Sequence, residues 1–176
     1  ADAINRKEMD ELDTEEKVFE ADISGSFPET AYPAETSLSL KVGAQVMFIR
    51  NDSKEGRWYN GKVGTVSALD EDLRVMFEDG TEVSVEKEEW NNLRYELNSE
   101  SNEIEAAVEG VFVQYPLRLA WAITIHKSQG LTFDRVIIDA GKAFSFGQVY
   151  VALSRCRSLE GIVLTTPISS RCTFFS

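Results

Sequence analysis

Positive charge is scarce in this sequence. Its 176 residues contain 18 lysines and arginines against 30 aspartates and glutamates, which gives a formal net charge of −12. Proteins that hold nucleic acid or an anionic membrane through their overall charge carry an excess of Lys and Arg. The charge balance therefore argues against a generic binder of either kind and leaves room only for a local basic groove.

Histidine and cysteine are rare as well, with one His and two Cys in the chain. A zinc site is built from about four such ligands, and His126 has no second His and no Cys near it, so no metal site is expected. Cys156 and Cys172 are too few for a disulfide framework, so a reducing cytosolic or nuclear compartment is the default expectation. Long apolar runs are also missing, because LRLAWAITI contains Arg118 and falls far short of the ~18 residues that span a membrane. No membrane partner is expected.

The phosphate-binding pattern G-x-x-x-x-G-K-[ST] is absent. Gly61-Lys62 is followed by valine, and Gly141-Lys142 is followed by alanine. No apolar strand ends in an Asp-Glu pair that could hold Mg²⁺. The G-x-x-x-x-G-K-[ST] pattern binds the phosphates of a nucleotide in many nucleotide hydrolases. Because this chain lacks the pattern, it is not expected to bind a nucleotide by itself.

Apolar periodicity divides the chain into three regions. Residues 1–37 predict a short helix, AINRKEMDEL, a half-buried strand, KVFEADISG, and a connector with two prolines, SFPETAYPAET. Residues 38–114 predict short strands with tight turns at Asn60-Gly61 and Asp79-Gly80. Short strands and tight turns over such a length are typical of a small closed barrel of the SH3-like type.

Residues 115–176 change to a mixed pattern. The run LAWAITI predicts either a helix that begins near Pro116 or a buried strand. RVIIDA and GIVLTTPI predict apolar strands, and SFGQVYVALSRCRS between them predicts a helix that opens with a capping-box pattern from Ser145 to Gln148. A strand, a helix and a strand in this order predict a parallel sheet. The small β-barrel therefore interrupts an α/β domain, whose sheet is either truncated or completed by a strand of the first region.

The only histidine lies in the segment TIHKSQGLT, residues 124–132. Its hydroxyl, imidazole and ammonium groups can donate hydrogen bonds to phosphate, and Gly130 allows a close backbone approach. The plainer alternative is a capped turn with a solvated lysine and a packed histidine.

A second polar cluster lies at the C-terminal end of the segment GQVYVALSRCRS, residues 147–158. Ser154, Arg155 and Arg157 follow an apolar helix face. In the plainer interpretation, the two arginines complement the dipole at the C-terminal end of the helix. In the functional interpretation, a fixed guanidinium group neutralises charge on a transferred phosphoryl group.

Together and in this order, TIHKSQGLTFDRVIID and GQVYVALSRCRS resemble the last two conserved motifs of superfamily 1 helicases of the RecD/Pif type. LKVGAQVMFIRND and GRWYNGKVGTV resemble the start of the SH3-like barrel inserted in the second RecA-like domain of that family. INRKEMDEL resembles the helix after its fourth motif, and GSFPETAYP the connector into the barrel. The resemblance covers almost the whole chain. It implies an α/β fold in which a partial RecA-like, P-loop NTPase-like domain of residues 1–37 and 115–176 is interrupted by a barrel of residues 38–114.

The resemblance also implies functional residues. Arg155 matches the arginine finger that reaches the γ-phosphate of ATP bound on the first RecA-like domain. The nucleotide-binding positions that match are Gly130, Gln129 and Gln148. The positions that face the sugar–phosphate track of single-stranded DNA are Thr124, His126, Lys127 and Ser128. His126 is expected to act as a hydrogen-bonding strut or a phosphate donor rather than as an acid–base catalyst.

The function implied is that of a fragment of an ATP-dependent DNA helicase. The full-length enzyme would need ATP and Mg²⁺, and neither is expected to bind this fragment, which is expected to be inactive alone. The expected partners are single-stranded DNA, bound weakly, and ATP through the missing first RecA-like domain; a monomer is expected. The expected location is the cytoplasm, with the nucleoid, in a bacterium, and the nucleus or mitochondrion in a eukaryote.

Two other functions remain open at this point. An SH3-like barrel with exposed Trp58, Tyr59 and Trp90 could bind a protein or peptide on an α/β scaffold, and the acidic charge slightly favours this alternative. The chain could also belong to a regulatory paralogue without ATPase activity.

Overall fold

The computed structural model describes residues 1–97, 104–139 and 146–168, in a mixed fold with many strands and few helices. The chain divides into a larger compact unit, Asp2–Trp121, and a smaller one made mostly of the chain from Ala122 onwards. The assignment of residues 1–37, 38–114 and 115–176 to domains stays a prediction. No helix among the described residues is long and apolar enough to cross a membrane.

The larger unit begins with a helix, α1 (Asp2–Asp10), which confirms the helix predicted there and buries Asn5 and Met9. Strands follow it along the chain. They are β1 (Lys17–Glu20), β2 (Asp22–Gly25), β3 (Ser37–Leu40), β4 (Gln45–Phe48), β5 (Val63–Leu69), β6 (Leu73–Met76), β7 (Glu82–Val85), β8 (Glu88–Leu97), β9 (Ile104–Gln114) and β10 (Leu117–Leu119). A short 3-10 turn, Glu29–Ala31, lies in the proline-containing connector.

The segment KVFEADISG, predicted as one strand, forms two strands in different sheets. β1 pairs antiparallel with β3, and β2 pairs antiparallel with β9. Gln114, which is fully buried, holds this junction together. Its Nε2 group donates to the carbonyl oxygens of Phe19 at 2.8 Å and Glu35 at 3.2 Å. These bonds satisfy an amide group that would otherwise be buried without a partner.

The largest sheet has the order β10-β4-β5-β6-β7, and all its neighbouring strands are antiparallel. The tight turn predicted at Asp79-Gly80 is confirmed: it joins β6 and β7 in a hairpin, and Gly80 has a φ of 82°. Val75 and Val83 pair across this hairpin and are both buried. Alternate positions on a strand face the same side, so the alternating valines build one core face. The SH3-like closure of these strands stays a prediction.

A third sheet has the order β2-β9-β8. β2 and β9 approach each other at the glycine pair Gly25 and Gly110. A Cβ atom on Gly25 would overlap the carbonyl oxygen of Glu109, and one on Gly110 would overlap that of Ser26. The pairing of these two strands therefore requires glycine on both sides.

Of the two alternatives for the run LAWAITI, the helix that begins near Pro116 is wrong, and a strand forms only as far as Leu119. Leu117–Leu119 forms β10, which pairs antiparallel with β4 at the edge of the largest sheet. The Pro116 carbonyl oxygen accepts a hydrogen bond from the Ile49 N–H group at 2.9 Å, and Leu117 is buried. Burial of this leucine against the sheet outweighs the weak local preference for helix.

The smaller unit contains a strand, β11 (Val136–Ile138), a helix, α2 (Phe146–Leu153), and a strand, β12 (Ile162–Leu164). β11 and β12 pair in parallel, which confirms the predicted strand–helix–strand order and the parallel pairing. Ile138, Val149 and Ala152 are buried at its centre. Helix α2 ends at Leu153, earlier than the sequence suggested, and Ser145 of the predicted capping box lies outside the described residues.

Candidate functional site

The segment TIHKSQGLT folds into a single capped turn of helix-like hydrogen bonds. The Ser128 N–H group donates to the Thr124 carbonyl oxygen at 3.1 Å, and the Gln129 N–H group donates to the His126 carbonyl oxygen at 3.2 Å. The Thr124 hydroxyl oxygen accepts from the Lys127 N–H group at 3.3 Å, as an N-cap residue does. The polar side chains of this segment are thereby held on a short, locally hydrogen-bonded turn.

Gly130 ends the turn with a φ of 80°. This left-handed conformation strains residues that have a Cβ atom and is common where a helical turn stops. A Cβ atom on Gly130 would meet no neighbouring atom within 4 Å. The glycine is therefore required by its backbone conformation and not by the space around it.

The predicted site residues of this turn differ in exposure. Its exposed members are Thr124, His126, Lys127, Gln129 and Gly130. His126 is thus solvated rather than packed, contrary to the plainer alternative. Ser128 is buried, and its hydroxyl group donates to the Ile125 carbonyl oxygen at 2.7 Å. Ser128 therefore supports the turn from inside, and its contact with DNA stays a prediction.

Arg155 lies just after α2 with its side chain half-buried. Its Nε group donates to the Val151 carbonyl oxygen at 3.1 Å, and Nη2 donates to the Ser154 hydroxyl oxygen at 2.9 Å. Nη1 donates to the carbonyl oxygen of Leu131 at 3.4 Å. The contact with Val151 is the one expected of a cation at a helix C-terminus. The contact with Leu131 adds a link to the first motif.

Backbone pairing reinforces this link. The Phe133 N–H group donates to the Arg155 carbonyl oxygen at 2.8 Å, and the Arg157 N–H group donates to the Phe133 carbonyl oxygen at 3.0 Å. These two bonds form a parallel bridge between Phe133 and Cys156. Next to it, a Cβ atom on Gly161 would overlap the Asp134 carbonyl oxygen. The two motifs, separate in the sequence, are therefore fixed against each other by the backbone.

The other predicted positions lie at the edges of this arrangement. Arg157 is exposed, and its Nε group is 3.4 Å from Asp134 Oδ1, an ion pair that water screens. Gln148 is half-buried on the first turn of α2. Over the described ranges, no three His, Cys, Asp or Glu side chains lie together in a way that could hold a metal ion.

Sequence reasoning did not assign a separate role to Ser154 or to Leu131. Ser154 was noted only as part of a polar cluster, although its hydroxyl group contacts both Arg155 and the Val151 carbonyl oxygen. Leu131 contributes a backbone atom, and backbone contacts leave no mark on residue type. The serine directly before the arginine was the only available signal.

The interaction-module alternative expected Trp58, Tyr59 and Trp90 to be exposed, and of these three only Tyr59 is. Trp58 is 5% exposed, because it stacks on Phe48 with ring centroids 4.4 Å apart and is covered by the guanidinium group of Arg57. Trp90 is half-buried, with its ring edge-to-face against Phe112. The prediction that Trp58 is exposed is therefore wrong, because core stacking removes it from the surface.

Comparisons with known proteins show what this chain is similar to. Residues 119–163 match the UvrD-like helicase C-terminal domain family. The chain is 41% identical over 170 residues to the ATP-dependent DNA helicase Pif1 of Bdellovibrio bacteriovorus, covering 93% of this chain and 36% of that protein.

Solved structures give the same result. Unliganded Pif1 from Bacteroides sp. matches with a TM-score of 0.89 and 44% identity, over 97% of this chain and 39% of that chain. Pif1 helicase from Bacteroides in complex with ADP-AlF3 and single-stranded DNA matches with a TM-score of 0.75 and 43% identity, over 99% of this chain and 40% of that chain. The chain thus spans 36% to 40% of the length of these relatives. By sequence and by fold, it corresponds to the C-terminal region of Pif1-type superfamily 1 helicases.

Proposed function

We propose that this chain is part of an ATP-dependent DNA helicase, in which it supplies the arginine finger and part of the track for single-stranded DNA. The observation that carries the proposal is the hydrogen bond from Arg155 to the carbonyl oxygen of Leu131, the residue that directly follows Gly130 at the end of the exposed polar turn. The relatives of known structure include one in complex with ADP-AlF3 and single-stranded DNA, which supports the same two ligands here.

The contacts of Arg155 support its proposed role as a finger. Each terminal nitrogen of a guanidinium group carries a pair of N–H groups, and the described contacts use one from Nη1 and one from Nη2. The other N–H group of each nitrogen remains for two oxygens of one phosphate group, the bidentate arrangement that arginine favours. Arg155 would thus neutralise charge that develops on the γ-phosphoryl group in the transition state.

ATP and Mg²⁺ would be held mainly by residues outside this chain. The metal would supply positive charge that offsets the charge of the phosphate groups, and the described residues offer no cluster of His, Cys, Asp or Glu side chains that could hold it. Gln129, Gly130 and Gln148 would approach the nucleotide from this side, through backbone and amide groups. The task of this chain is to bring Arg155 to a phosphate group that is bound elsewhere.

The exposed turn would contact the sugar–phosphate backbone of single-stranded DNA. Lys127 offers a full positive charge, while His126 and Thr124 offer hydrogen-bond donors, all on the exposed side of one turn. Such contacts position a strand without reading its sequence. With so few cations and a net charge of −12, the isolated chain would bind DNA weakly and with strong dependence on salt.

The finer family assignment belongs to the same proposal. Residues 1–37 and 115–176 would form part of a second RecA-like domain of the RecD/Pif type, and residues 38–114 its inserted SH3-like barrel. The antiparallel sheet of short strands β4 to β7 supports the barrel, and the parallel pair β11 and β12 supports the RecA-like domain. The protein would act as a monomer wherever its DNA resides, in the bacterial nucleoid or in a eukaryotic nucleus or mitochondrion.

The test is Arg155→Ala in the full-length protein, with Arg157→Ala as its matched control. DNA-stimulated ATP turnover should fall by roughly 10³-fold or more in Arg155→Ala, the scale found for arginine fingers, while folding and DNA affinity change little. Arg157→Ala should have a much smaller effect, because its ion pair is exposed. Purified, the isolated chain should hydrolyse no ATP. Near-normal turnover in Arg155→Ala, or a larger loss in Arg157→Ala, would overturn the proposal.

A further inference from the structure

Ser154 lies between the last turn of α2 and the guanidinium group of Arg155. Its hydroxyl group donates to the Val151 carbonyl oxygen at 2.9 Å, and its oxygen accepts from Arg155 Nη2, also at 2.9 Å. A serine hydroxyl has one proton to donate. Because Val151 takes that proton, the lone pairs of the oxygen remain for Arg155. The hydroxyl group is therefore an acceptor whose direction is fixed by the helix.

The same edge of the guanidinium group is held a second time. Arg155 Nε donates to the Val151 carbonyl oxygen at 3.1 Å, so Val151 and Ser154 together hold the Nε–Nη2 edge. The remaining contact, from Nη1 to the Leu131 carbonyl oxygen, is the longest of the three at 3.4 Å. Without the serine oxygen, Nη2 would lose its hydrogen-bond acceptor. The guanidinium group could then rotate, and Nη1 and Nη2 would change position.

We propose that Ser154 is a positioning residue for Arg155: its hydroxyl oxygen sets the rotation of the guanidinium group, so that Nη1 and Nη2 present their remaining N–H groups to the γ-phosphate. This inference rests on the proposed function of Arg155. Small errors in the placement of a group that acts on the transition state have large effects on rate. Ser154 acts only through Arg155 and does not contact the nucleotide.

The first experiment compares Ser154→Ala and Ser154→Thr in the full-length protein. Ser154→Ala should lower kcat for DNA-stimulated ATP hydrolysis about tenfold and leave KM for ATP nearly unchanged, because the lost contact matters in the transition state. Ser154→Thr keeps the hydroxyl group and should restore most of the activity. A loss in Ser154→Thr equal to that in Ser154→Ala would overturn the proposal.

A double-mutant cycle separates positioning from a merely structural role. In an Arg155→Ala background, Ser154→Ala should cause no further loss of turnover, since the group it positions is gone. A further tenfold loss in that background would mean that Ser154 acts independently, and would overturn the proposal. Ser158→Ala is the matched control, because Ser158 is an exposed serine three residues after Arg155 and takes no part in the contacts described for the Arg155 side chain; its turnover should be normal.

ADP with aluminium fluoride mimics the transferred phosphoryl group. Its binding affinity is a useful second measurement, because a change in protein stability alone would not alter it. Ser154→Ala should weaken binding of ADP–aluminium fluoride about tenfold and leave binding of ADP alone unchanged. Equal binding of the mimic by Ser154→Ala and the unmodified protein would count against the proposal. If Arg155→Ala itself hydrolyses ATP normally, the proposed function fails; if Arg155→Ala is impaired but Ser154→Ala is normal, only the role of Ser154 fails.

Discussion

Arg155 Nη1 donates a hydrogen bond to the carbonyl oxygen of Leu131 at 3.4 Å, and Leu131 directly follows the glycine that ends the exposed turn. The acceptor that holds one side of the guanidinium group is thus part of the segment proposed to contact DNA. Hydrogen bonds of this length weaken steeply with small changes of distance and angle. We therefore expect a movement of the turn to disturb this contact of Arg155, and a ligand bound to Arg155 to affect the turn.

This relationship predicts coupled binding in the full-length protein. Single-stranded DNA should raise the affinity for ADP–aluminium fluoride, because an ordered turn fixes one of the acceptors of Arg155. Arg155→Ala should remove most of that increase, and by linkage the mimic should raise the affinity for DNA by the same factor. Titrations of each ligand with and without the other measure both factors. An increase that survives intact in Arg155→Ala would show that the coupling follows another route.

Lys127 provides a test of the DNA track. Lys127→Ala should weaken binding of single-stranded DNA by a similar factor for all sequences, and should reduce the slope of log affinity against log salt concentration by about 1. Lys7→Ala is a suitable control, because Lys7 is also exposed but lies on α1, 3.4 Å from Glu11. Fluorescence titration at several salt concentrations gives both quantities. An unchanged salt slope for Lys127→Ala would remove this residue from the track.

Two glycines of the smaller unit should respond in opposite directions to alanine. Gly130→Ala should destabilise the protein by about 1–2 kcal/mol, because its φ of 80° strains any residue with a Cβ atom. Gly147 lies in α2 without a positive φ, and a Cβ atom there meets no neighbour. Gly147→Ala should stabilise by about 0.5–1 kcal/mol. Chemical denaturation of both variants checks the signs; stabilisation by Gly130→Ala would contradict the observed conformation of the turn.

The environment of the Asp52 carboxyl group predicts that the stability of the protein depends on pH. The hydrogen bond from Arg57 Nε at 2.7 Å, aided by backbone N–H groups of Arg57, Lys54 and Glu55, holds the pKa of Asp52 well below its usual range. A carboxyl group whose pKa is lowered by folding stabilises the protein at pH values above its unfolded pKa, about 4, and this contribution declines as the pH falls further.

Asp52→Asn should therefore lower the free energy of unfolding by about 2 kcal/mol near neutral pH. The difference from the unmodified protein should shrink as the pH falls below about 4. Asp10→Asn is the control, because its ion pair with Arg6 is on the surface and more than half of each side chain is exposed. Denaturation series at neutral and acidic pH measure the effect. A difference that grows on acidification would have the wrong sign.

The strand–helix–strand order of the smaller unit could be predicted because two apolar runs flank a segment with a clear helical face. The edge strand at Leu117 could not be, since LRLAWAI fits both periods and only the partner strand β4 decides between them. Apolar periodicity describes one segment at a time. It therefore cannot decide between helix and strand where the outcome depends on a partner strand distant in the sequence.

In the candidate site too, some features could be predicted from the sequence and others could not. The exposed Lys127 and His126 were predictable from residue type, because charged and polar side chains in a glycine-containing turn usually face solvent. The burial of Ser128 and Trp58 was not, because it depends on the Ile125 carbonyl group and on the Phe48 ring. Both are contacts of three-dimensional packing, which residue type alone does not reveal.

The parallel pair β11 and β12 has a consequence for the protein in solution. Ile137 is 72% exposed and Val163 is 57% exposed, and they are paired neighbours on this small sheet. At neutral pH, the charge of −12 keeps molecules apart by mutual repulsion. Near the isoelectric point of about 4.6 that repulsion vanishes, and the apolar strand faces of different molecules can adhere. The isolated chain should therefore aggregate more readily near this pH than at neutral pH.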